Sequence, residues 1–501
     1  MNKLNNQKIA DEANDFIEKI DYLIDHKKIE QAFQLIETVA HIYYHTALGY
    51  KFPSLDAKID MALKVYKVNK EDINFDCPND DYVLFVDYFG WDNKGLTIQY
   101  VNALLKSDKK LLYLHLNSSK EFLNTEIYSF LKKQNISILF VNKSLSLTKK
   151  LDLIFSMLRV YKLTHIFFHT APWDILSVAI AAKYLDSKRY QINITDHAYW
   201  LGVDFFDYII NFRQVGVDIS VLCRESSIVK QILIPMYASK PSAKLKELPV
   251  DVKGRFLIVS GGNTYKVSAE NNPYFSVIKT VLNTIDNAIF LYIGGGDPSQ
   301  INEFISKNNF QNKAFYLGER SDFFEIMQLA DVYFATYPVG GGLMSLYAAN
   351  AGIPFVSLCD NKEQEQKVYN VFFTKPQLNC VFVNEVDCVN EFKKLKQDKN
   401  YYYDRQKDFS RSGFNSNNFE ILVKKLFEAN PETVACLKSN TDICKNFYTT
   451  NHLRSDALFL EKYYLIPLKH LKLKLFWVSP RYFFRSLRFV LAHFWRKYIE
   501  N

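Results

Sequence analysis

The chain has 501 residues, of which 48% are apolar and 15% aromatic, and it carries 62 Lys and Arg against 54 Asp and Glu, a formal net charge of +8. This length exceeds what one hydrophobic core usually organises, and the apolar content excludes a disordered chain, so we expect at least two folded domains. Seven cysteines with no Cys-x-x-Cys pair disfavour a disulfide framework or a structural zinc site, and they favour a reducing cytoplasm.

Residues 1–75 are predicted to form a helical accessory region. Residues 9–48 show two amphipathic patterns separated by Asp25–Lys28, which predicts a helical hairpin packed against the domain that follows. A single copy is too short for a free-standing solenoid. The first residues show no signal-peptide pattern, and no run of about 18 apolar residues occurs, so we expect neither secretion by that route nor a membrane span.

Residues 80–240 are predicted to form the first α/β domain. Tyr82–Asp87 is its first strand, followed by a loop at Gly90–Gly95 and a helix at Leu96–Leu105. Further strands are predicted at Leu111–Leu116, Ile136–Val141, His165–His169 and Gln191–Thr195. Strands that alternate with helices in this way predict a doubly wound parallel sheet. The boundary is expected within Ala238–Pro249, where Pro, Ser and Lys replace the apolar runs.

Residues 252–400 are predicted to form a second α/β domain whose strands end in glycine loops. Arg255–Ser260 leads into Gly261–Lys266, and Ala288–Ile293 leads into Gly294–Gly296. A later strand, which begins at Asp331, leads into three further glycines and a helix rich in small residues. The carboxyl-end loops of a parallel sheet converge on a ligand, so we expect these loops to lie together.

Gly340, Gly341 and Gly342 predict a phosphate site. Glycine lets backbone N–H groups approach an anion closely, and the N-terminus of the following helix favours negative charge. A nucleotide diphosphate would fit there. The alternative is a glycine turn that only joins a strand to a helix.

The motif order resembles the nucleotide-sugar-binding domain of GT-B glycosyltransferases. The motifs are Gly261–Lys266, Gly294–Gly296, Leu317–Arg320, Gly340–Gly342 and Ala351–Pro354, and the resemblance extends over residues 80–400. It implies an α/β fold of two doubly wound Rossmann-like domains, which the N-terminal helical hairpin and C-terminal helices in residues 401–501 would complete. It also implies a hexosyltransferase-type enzyme with a nucleotide-sugar donor and no further cofactor.

The resemblance suggests which residues bind the donor. Lys266 and Arg320 are expected to contact phosphate oxygens beside the glycine turn, although each could instead be a solvated loop cation. Many retaining members have two glutamates flanking this turn, and Val339 and Tyr347 occupy those positions here. The ribose-binding glutamate of many inverting members also aligns with Tyr347. Ribose recognition would then come from Glu363 or Glu365, and stereochemistry stays open with a lean towards inversion. No Asp-x-Asp pair ends a strand, so no metal is expected.

Three side chains of the first domain are candidates for the base that deprotonates the acceptor. His197 is the first choice, because Thr195–Gly202 packs Asp, His, Tyr and Trp into one loop after a strand. Asp92 follows the first strand, where several inverting GT-B enzymes have their base, and His169 ends another strand. A structural role is the alternative for each. Trp91, Trp173 and Trp200 could stack on acceptor sugars or belong to the core.

The C-terminal segment concentrates the positive charge. Residues 462–501 contain nine Lys or Arg and one acid, which leaves 53 cations and 53 acids in the rest of the chain. Aromatic and leucine residues alternate with these cations, as in segments that bind an anionic membrane surface. The alternative is a helix packed across both domains with solvated cations. No nucleic-acid-binding module is recognisable.

These features together indicate a cytoplasmic glycosyltransferase at the inner face of the cell membrane. The expected acceptor is a glycan or a lipid-linked sugar, and bacterial surface-polysaccharide synthesis is the expected setting. A protein glycosyltransferase and a nucleotide-sugar epimerase of the same fold are the alternatives among enzymes. A membrane scaffold with inert sheets is the alternative outside them.

Overall fold

The computed structural model describes residues 6–46, 49–66, 81–92, 95–196, 198–238, 244–268, 272–359, 380–410, 415–428, 431 and 456–498. The chain divides into two compact units. The first unit comprises Met1–Phe212, Gly216–Ile234 and Glu420–Asn501, and the second comprises Arg213–Val215 and Pro235–Phe419. The N-terminal helices, the first sheet and the C-terminal helices therefore belong to one unit.

The first unit contains a parallel seven-stranded sheet in the order β3-β2-β1-β4-β5-β6-β7. Its strands are β1 (Asp81–Asp87), β2 (Lys110–Ser118), β3 (Ser137–Asn142), β4 (Lys162–His169), β5 (Lys188–Ile192), β6 (Tyr208–Asn211) and β7 (Gln231–Leu233). Its connecting helices are α4 (Leu96–Leu104), α5 (Glu126–Lys133), α6 (Leu147–Leu158), α7 (Ile175–Lys183) and α8 (Gln214–Leu222).

The second unit contains a parallel six-stranded sheet in the order β10-β9-β8-β11-β12-β13. Its strands are β8 (Phe256–Gly261), β9 (Ala288–Ile293), β10 (Ala314–Tyr316), β11 (Val332–Phe334), β12 (Phe355–Leu358) and β13 (Val381–Phe382). Helices α9 (Pro273–Thr284), α10 (Ser299–Lys307), α11 (Phe323–Leu329), α12 (Gly342–Ala351), α13 (Glu385–Gln397) and α14 (Lys399–Ser410) accompany it, and α15 (Ser416–Lys425) follows at the boundary.

Both sheets follow from the apolar runs of their strands. All six residues of β8 and all six of β9 are buried, as expected where helices cover both faces of a parallel sheet. In each sheet the strand order reverses once, between β1 and β4 in the first and between β8 and β11 in the second. Doubly wound sheets bind ligands at such switch points, outside the carboxyl ends of the strands.

The N-terminal region contains the predicted hairpin, α1 (Asn6–Asp25) and α2 (Ile29–Thr46), and a third helix, α3 (Pro53–Val65). Glutamate side chains of this region accept hydrogen bonds from backbone N–H groups of the α/β part. Glu30 accepts hydrogen bonds from the N–H groups of Leu147 (3.1 Å) and Thr148 (2.8 Å) at the start of α6, and Glu37 accepts one from Ile175 (3.3 Å) at the start of α7. The first amides of a helix have no partner within the helix, so these hydrogen bonds tie α2 to the N-termini of α6 and α7.

The C-terminal helices are α16 (Asp456–Leu471), α17 (Lys474–Val478) and α18 (Pro480–Tyr498). Tyr482 of α18 packs edge-on against Phe16 of α1, with 5.4 Å between the ring centroids. Tyr463, Leu475 and Tyr482 belong to the same hydrophobic core as the N-terminal helices and one face of the first sheet. None of the described helices combines the length and apolar composition needed to cross a bilayer.

Candidate functional site

The candidate donor site lies at the carboxyl edge of the second sheet. The loop after β8 and the loop after β9 are tied together by backbone hydrogen bonds. The N–H of Gly262 donates to the carbonyl of Ile293 at 2.9 Å, and the N–H of Thr264 donates to the carbonyl of Gly295 at 2.9 Å. The switch point between β8 and β11 lies at this edge, so the glycine loops are where a ligand is expected.

The first glycine triplet, Gly294–Gly296, is explained by the packing of these loops. A Cβ atom on Gly294 would lie 1.8 Å from the carbonyl oxygen of Gly262, and one on Gly296 would lie 2.3 Å from Oγ1 of Thr264. Gly296 also has a φ of +106°, which L side chains rarely adopt. Glycine is therefore required at both positions whether or not a ligand binds.

In the second triplet, Gly340–Gly342, packing does not require glycine at the central position, Gly341. Gly341 has a φ of −105°, which any residue can adopt. A Cβ atom there would lie 3.5 Å from Oγ1 of Thr336 and 3.7 Å from both the carbonyl oxygen of Gly261 and Nζ of Lys266, all ordinary van der Waals distances. Neither backbone strain nor packing excludes a side chain at Gly341.

The N-terminus of α12 begins at this second triplet. Within this described helix no side chain caps the N-terminal amides, and the first turn contains no acidic residue. Free N–H groups and the helix dipole favour an anion at such an end.

Lys266 supplies a positive charge beside this helix end. Its Nζ lies 3.7 Å from the positions that Cβ atoms on Gly262 and Gly341 would take. Its carbonyl accepts a hydrogen bond from the N–H of Val339 at 3.2 Å, which fixes the lysine backbone against the turn. The structure therefore brings together Lys266 and the second glycine triplet, as the sequence predicts.

Asn272 positions the two segments relative to each other. Its Nδ2 donates to the carbonyl of Val267 at 2.7 Å and to that of Tyr337 at 2.9 Å, and its Oδ1 accepts from the N–H of Tyr274 at 3.0 Å. This buried amide thus caps α9 and also joins the Lys266 segment to the segment before the glycine turn. Asn272 was not among the predicted site residues, although an Asn followed by Pro273 is a helix-start signal.

Arg320 makes its contacts elsewhere. Its guanidinium donates two hydrogen bonds of 2.8 Å to the carboxylate of Asp322, and two longer ones to the carbonyls of Lys246 and Glu247. The N–H of Lys246 donates to the same carboxylate at 2.7 Å. The hydrogen bonds from Arg320 hold the pKa of Asp322 well below its usual range. In this arrangement Arg320 fastens the segment before β8, and its role as a phosphate ligand stays a prediction.

The remaining donor predictions fall partly outside the described structure. Glu363 and Glu365 lie outside the described residues, so the expected ribose contact stays a prediction. Tyr347 is described and is buried on α12, where it packs against Phe323 with 4.7 Å between the ring centroids. It is a core residue of the second unit.

The corresponding edge of the first sheet carries a buried Asp–His pair. Asp87 ends β1 and His169 ends β4, and the two are register partners across the switch point. Nδ1 of His169 lies 2.9 Å from Oδ1 of Asp87, and both side chains are fully buried. Oδ2 of Asp87 accepts hydrogen bonds from the Tyr113 hydroxyl (2.5 Å) and the Gly90 N–H (2.7 Å). The Tyr113 hydroxyl and the Gly90 N–H therefore fix the carboxylate of the pair.

The chemistry of this pair follows from its hydrogen bonds. Burial alone would raise the pKa of Asp87, but the bonds from His169, Tyr113 and Gly90 outweigh burial and lower it. An ionised Asp87 favours the tautomer of His169 with its proton on Nδ1. Nε2 of His169 is buried and has no hydrogen-bond partner among the described residues. Nε2 is therefore the ring nitrogen that Asp87 does not contact. Asp87 was not among the predicted site residues, although a carboxylate at the end of an apolar strand is a usable signal.

Asp92 lies near this pair. Its Oδ1 accepts a hydrogen bond from the N–H of Ile98 in the first turn of α4 at 3.0 Å. Burial raises its pKa, the Ile98 N–H and His169 oppose that rise, and the charge of Asp87 adds to it. The structure therefore groups two of the three predicted base candidates, His169 and Asp92, at one end of the first sheet.

His197 lies outside the described residues, so its predicted role is untested. The loop on either side of it is described and is held by the buried Arg224. That guanidinium donates to the carbonyls of Thr195, Asp196 and Ala198 at distances of 2.6 to 3.1 Å.

The three tryptophans proposed for sugar stacking differ in exposure. Trp200 is buried and donates from Nε1 to the carbonyl of Thr195 at 2.9 Å, so it is a core residue. Trp173 is half-buried and stacks on His41, with 4.0 Å between the ring centroids. Trp91 is 58% exposed and is accessible for contact with a ligand.

The described part of the chain contains no cluster of three or more His, Cys, Asp or Glu side chains that could hold a metal ion. Among the described residues, Lys266 is a cation close to the N-terminus of α12.

Comparison with known proteins identifies the fold. No protein-family model and no curated protein sequence matches the chain. Anabaena Alr3699/HepE, crystallised with UDP and glucose, is 12% identical with a TM-score of 0.52, and the match covers 69% of this chain and 98% of that one. A glycosyltransferase from Rickettsia africae is 11% identical with a TM-score of 0.51, covering 70% and 100%.

An epimerase gives a similar match. A putative UDP-N-acetylglucosamine 2-epimerase from Listeria monocytogenes is 11% identical with a TM-score of 0.50, and the match covers 71% of this chain and 100% of that one. At such identities the likeness concerns the fold and leaves the reaction open. The chain is an α/β protein of the GT-B fold, with two doubly wound Rossmann-like domains, an N-terminal helical hairpin and C-terminal helices.

Proposed function

We propose that this protein is a glycosyltransferase that moves a sugar from a nucleotide diphosphate donor to a glycan or lipid-linked acceptor without an essential metal ion. One observation carries the proposal. The uncapped N-terminus of α12 follows a glycine that neither strain nor packing requires, and the Lys266 ammonium lies beside it. This arrangement suits a diphosphate, because free amides, a helix dipole and a fixed cation all favour concentrated negative charge.

The leaving group sets what this site must do. Breaking the sugar–phosphate bond leaves a nucleoside diphosphate, whose extra negative charge must be stabilised in the transition state. Lys266 and the amides of α12 would supply that stabilisation, which is the basis for proposing a metal-independent reaction. UDP is the first nucleotide to test, because the Anabaena protein was crystallised with it.

Acceptor activation is assigned to the first unit. We propose His169 as the general base, with Asp87 holding its proton on Nδ1 and Nε2 taking the proton of the acceptor hydroxyl. His169 is fully buried, and Phe89 packs 5.1 Å from its ring, so the loop carrying Phe89 and Trp91 must shift to admit a hydroxyl. Asp92 is the second candidate because burial raises its pKa. His197 is the third.

The donor site is tested by thermal unfolding with UDP, GDP, CMP and dTDP, each with and without magnesium. The wild type is expected to show a selective, magnesium-independent rise in Tm. Lys266→Ala should lose that rise, whereas Lys279→Ala, an exposed lysine on α9 of the same unit, should keep it. A protein that responds to no nucleotide would contradict the proposal and favour a non-enzymatic scaffold.

Product analysis then separates the reactions. A transferase releases nucleotide only when an acceptor is present and yields a glycosylated acceptor, whereas an epimerase converts the donor without one. Glycan, lipid-linked and polypeptide acceptors tested in parallel distinguish surface-polysaccharide synthesis from protein glycosylation.

The base is identified with His169→Gln, Asp92→Asn and His197→Ala. The variant that removes the base should lose roughly 100-fold or more in turnover while keeping the nucleotide-induced rise in Tm. We expect His169→Gln to be that variant. Full turnover in His169→Gln together with loss in another variant would transfer the role to that residue.

A further inference from the structure

The C-terminal helices have exposed apolar side chains that no other part of the described chain covers. We call this surface the outer face, and it consists of Leu473, Trp477, Phe484, Leu487 and Leu491. These side chains are 76%, 76%, 58%, 38% and 61% exposed, respectively. Single exposed apolar residues are ordinary, whereas five large ones within 19 residues are typical of a surface that binds a partner or a membrane.

The opposite face of the same helices is already used. Tyr482 and Ser486 are fully buried, and together with the half-buried Phe489 they follow the i, i+4, i+7 spacing of one helical stripe. Tyr482 packs on Phe16, and Ser479 donates to a carboxylate oxygen of Asp15 at 3.4 Å. The inward stripe therefore seats α17 and α18 on the N-terminal hairpin.

A second, outer stripe with helical spacing lies on another side of α18. Phe484, Leu487 and Leu491 stand at i, i+3 and i+7, so they line one side of the helix together. The inner stripe of α18 packs on the N-terminal hairpin. The outer stripe lies on the opposite side of α18 and is therefore exposed. The N-terminal hairpin thus contacts the inner stripe and leaves the outer one uncovered.

Cations border the outer face. Lys469, Lys472, Lys474, Arg481 and Arg488 are exposed, and Arg485 is half-buried. Residues 463–491, whose side chains the structure describes, contain no Asp or Glu. A positive rim around Trp, Phe and Leu is complementary to a surface that has negative headgroups above an apolar interior. A protein partner would need an acidic and an apolar surface in the same arrangement, so the observations favour lipid.

We propose that the outer face lies on an anionic phospholipid bilayer, with Trp477 and Phe484 in the interface and the neighbouring cations on the headgroups. In this proposal the helices lie along the membrane surface, and none of the described helices is long and apolar enough to span it. This inference goes beyond sugar transfer and does not depend on it. Combined with the proposed function, it would bring the protein to acceptors embedded in the same membrane.

The test measures co-sedimentation of the full-length protein with vesicles of phosphatidylcholine alone and of phosphatidylcholine with phosphatidylglycerol. Wild type is expected to bind the anionic vesicles and to dissociate at high salt. Trp477→Ser combined with Phe484→Ser should weaken binding roughly tenfold or more, because apolar burial at the interface is lost. Arg481→Gln combined with Arg488→Gln should do the same, because each cation near an anionic surface contributes roughly a fivefold factor.

The matched control is Val383→Ser combined with Val386→Ser, two exposed apolar residues of the second unit. It should bind vesicles like wild type. All variants change exposed positions, so their unfolding temperatures and any nucleotide-induced rise in Tm should be unchanged, which separates this test from that of the proposed function. Equal binding of wild type and both outer-face variants would overturn the proposal. So would self-association that the outer-face variants abolish while vesicles fail to bind.

Discussion

The two glycine triplets of the second unit look alike in sequence and differ in physical cause. In Gly294–Gly296, a Cβ atom on Gly294 would lie 1.8 Å from a backbone carbonyl oxygen of the neighbouring loop, so glycine is needed there for the fold. In Gly340–Gly342, a Cβ atom on the central residue would meet nothing closer than 3.5 Å, so the fold does not need glycine there. A glycine that the fold does not need is the better indicator of a ligand.

The largest expected effect is on stability in the first triplet. Gly294→Ala should lower the free energy of unfolding by about 3 kcal/mol or more, because the new methyl group meets a backbone carbonyl that cannot move aside. Denaturant unfolding measures this loss. A free energy of unfolding within about 0.5 kcal/mol of the wild-type value would show that the loops relax freely. The fold would then not require glycine at position 294.

The next largest effect is on stability and concerns Arg320. The sequence predicts that Arg320 contacts phosphate, and in the structure its guanidinium donates hydrogen bonds to Asp322. Arg320→Ala should lower stability by about 2 kcal/mol, because a buried carboxylate loses two charged hydrogen bonds. The folded-state pKa of Asp322 is lowered, so this stability is present above pH 4 or so and declines as the pH falls through the folded pKa. The variant should show less of that acid-induced loss.

Nucleotide affinity provides the control for Arg320→Ala. Measured well below the unfolding temperature, it should equal that of the wild type if Arg320 only fastens the segment before β8. A loss of affinity comparable with that of Lys266→Ala would restore Arg320 as a phosphate ligand.

Removal of the cation at the second triplet should act on binding alone. Lys266→Ala should weaken nucleoside diphosphate binding roughly 10- to 100-fold, because one charge-assisted contact to phosphate is lost. Isothermal titration calorimetry measures this change, with exposed Lys279→Ala as the matched control. Equal affinities in the two variants would place the diphosphate elsewhere.

The smallest expected effect on stability is that of Gly341→Ala, which tests most directly whether the two glycine triplets differ in physical cause. Gly341→Ala should change the free energy of unfolding by less than about 1 kcal/mol, because its φ is −105° and its surroundings leave room. It should nevertheless weaken nucleotide binding about tenfold, because the methyl group occupies space beside the Lys266 ammonium where the anion would lie. Unchanged affinity would mean that this glycine, too, is only part of a turn.

Sequence alone determined the class of fold and most of its elements. Apolar runs of strand length, separated by helical stretches, predict buried parallel strands, and the structure confirms two doubly wound sheets and the N-terminal hairpin. The short strands β6 and β7 and the helix α3 were not recognised. A strand of three or four residues shows too little periodicity, and α3 begins at a Pro53 that also reads as a turn.

Tertiary structure decided which motif residues meet. Sequence order identified Lys266 and the glycine loops, because strand-end loops gather at one edge of a parallel sheet. It could not distinguish the two triplets, since the distance from an absent Cβ to a neighbouring loop exists only once the loops are packed. The contact between Arg320 and Asp322 could not be predicted either. The two residues are only two positions apart, but their side chains meet because of a loop conformation that the sequence does not indicate.

The pairing of Asp87 with His169 shows the same limit. The two residues are 82 positions apart, and only the register of β1 with β4 makes them neighbours. On the C-terminal helices, sequence determined the mixture of cations and aromatic residues, whereas packing on α1 decided which stripe is buried and which is exposed. Composition sets what a segment can bind, and long-range contacts set which side chains remain available to bind it.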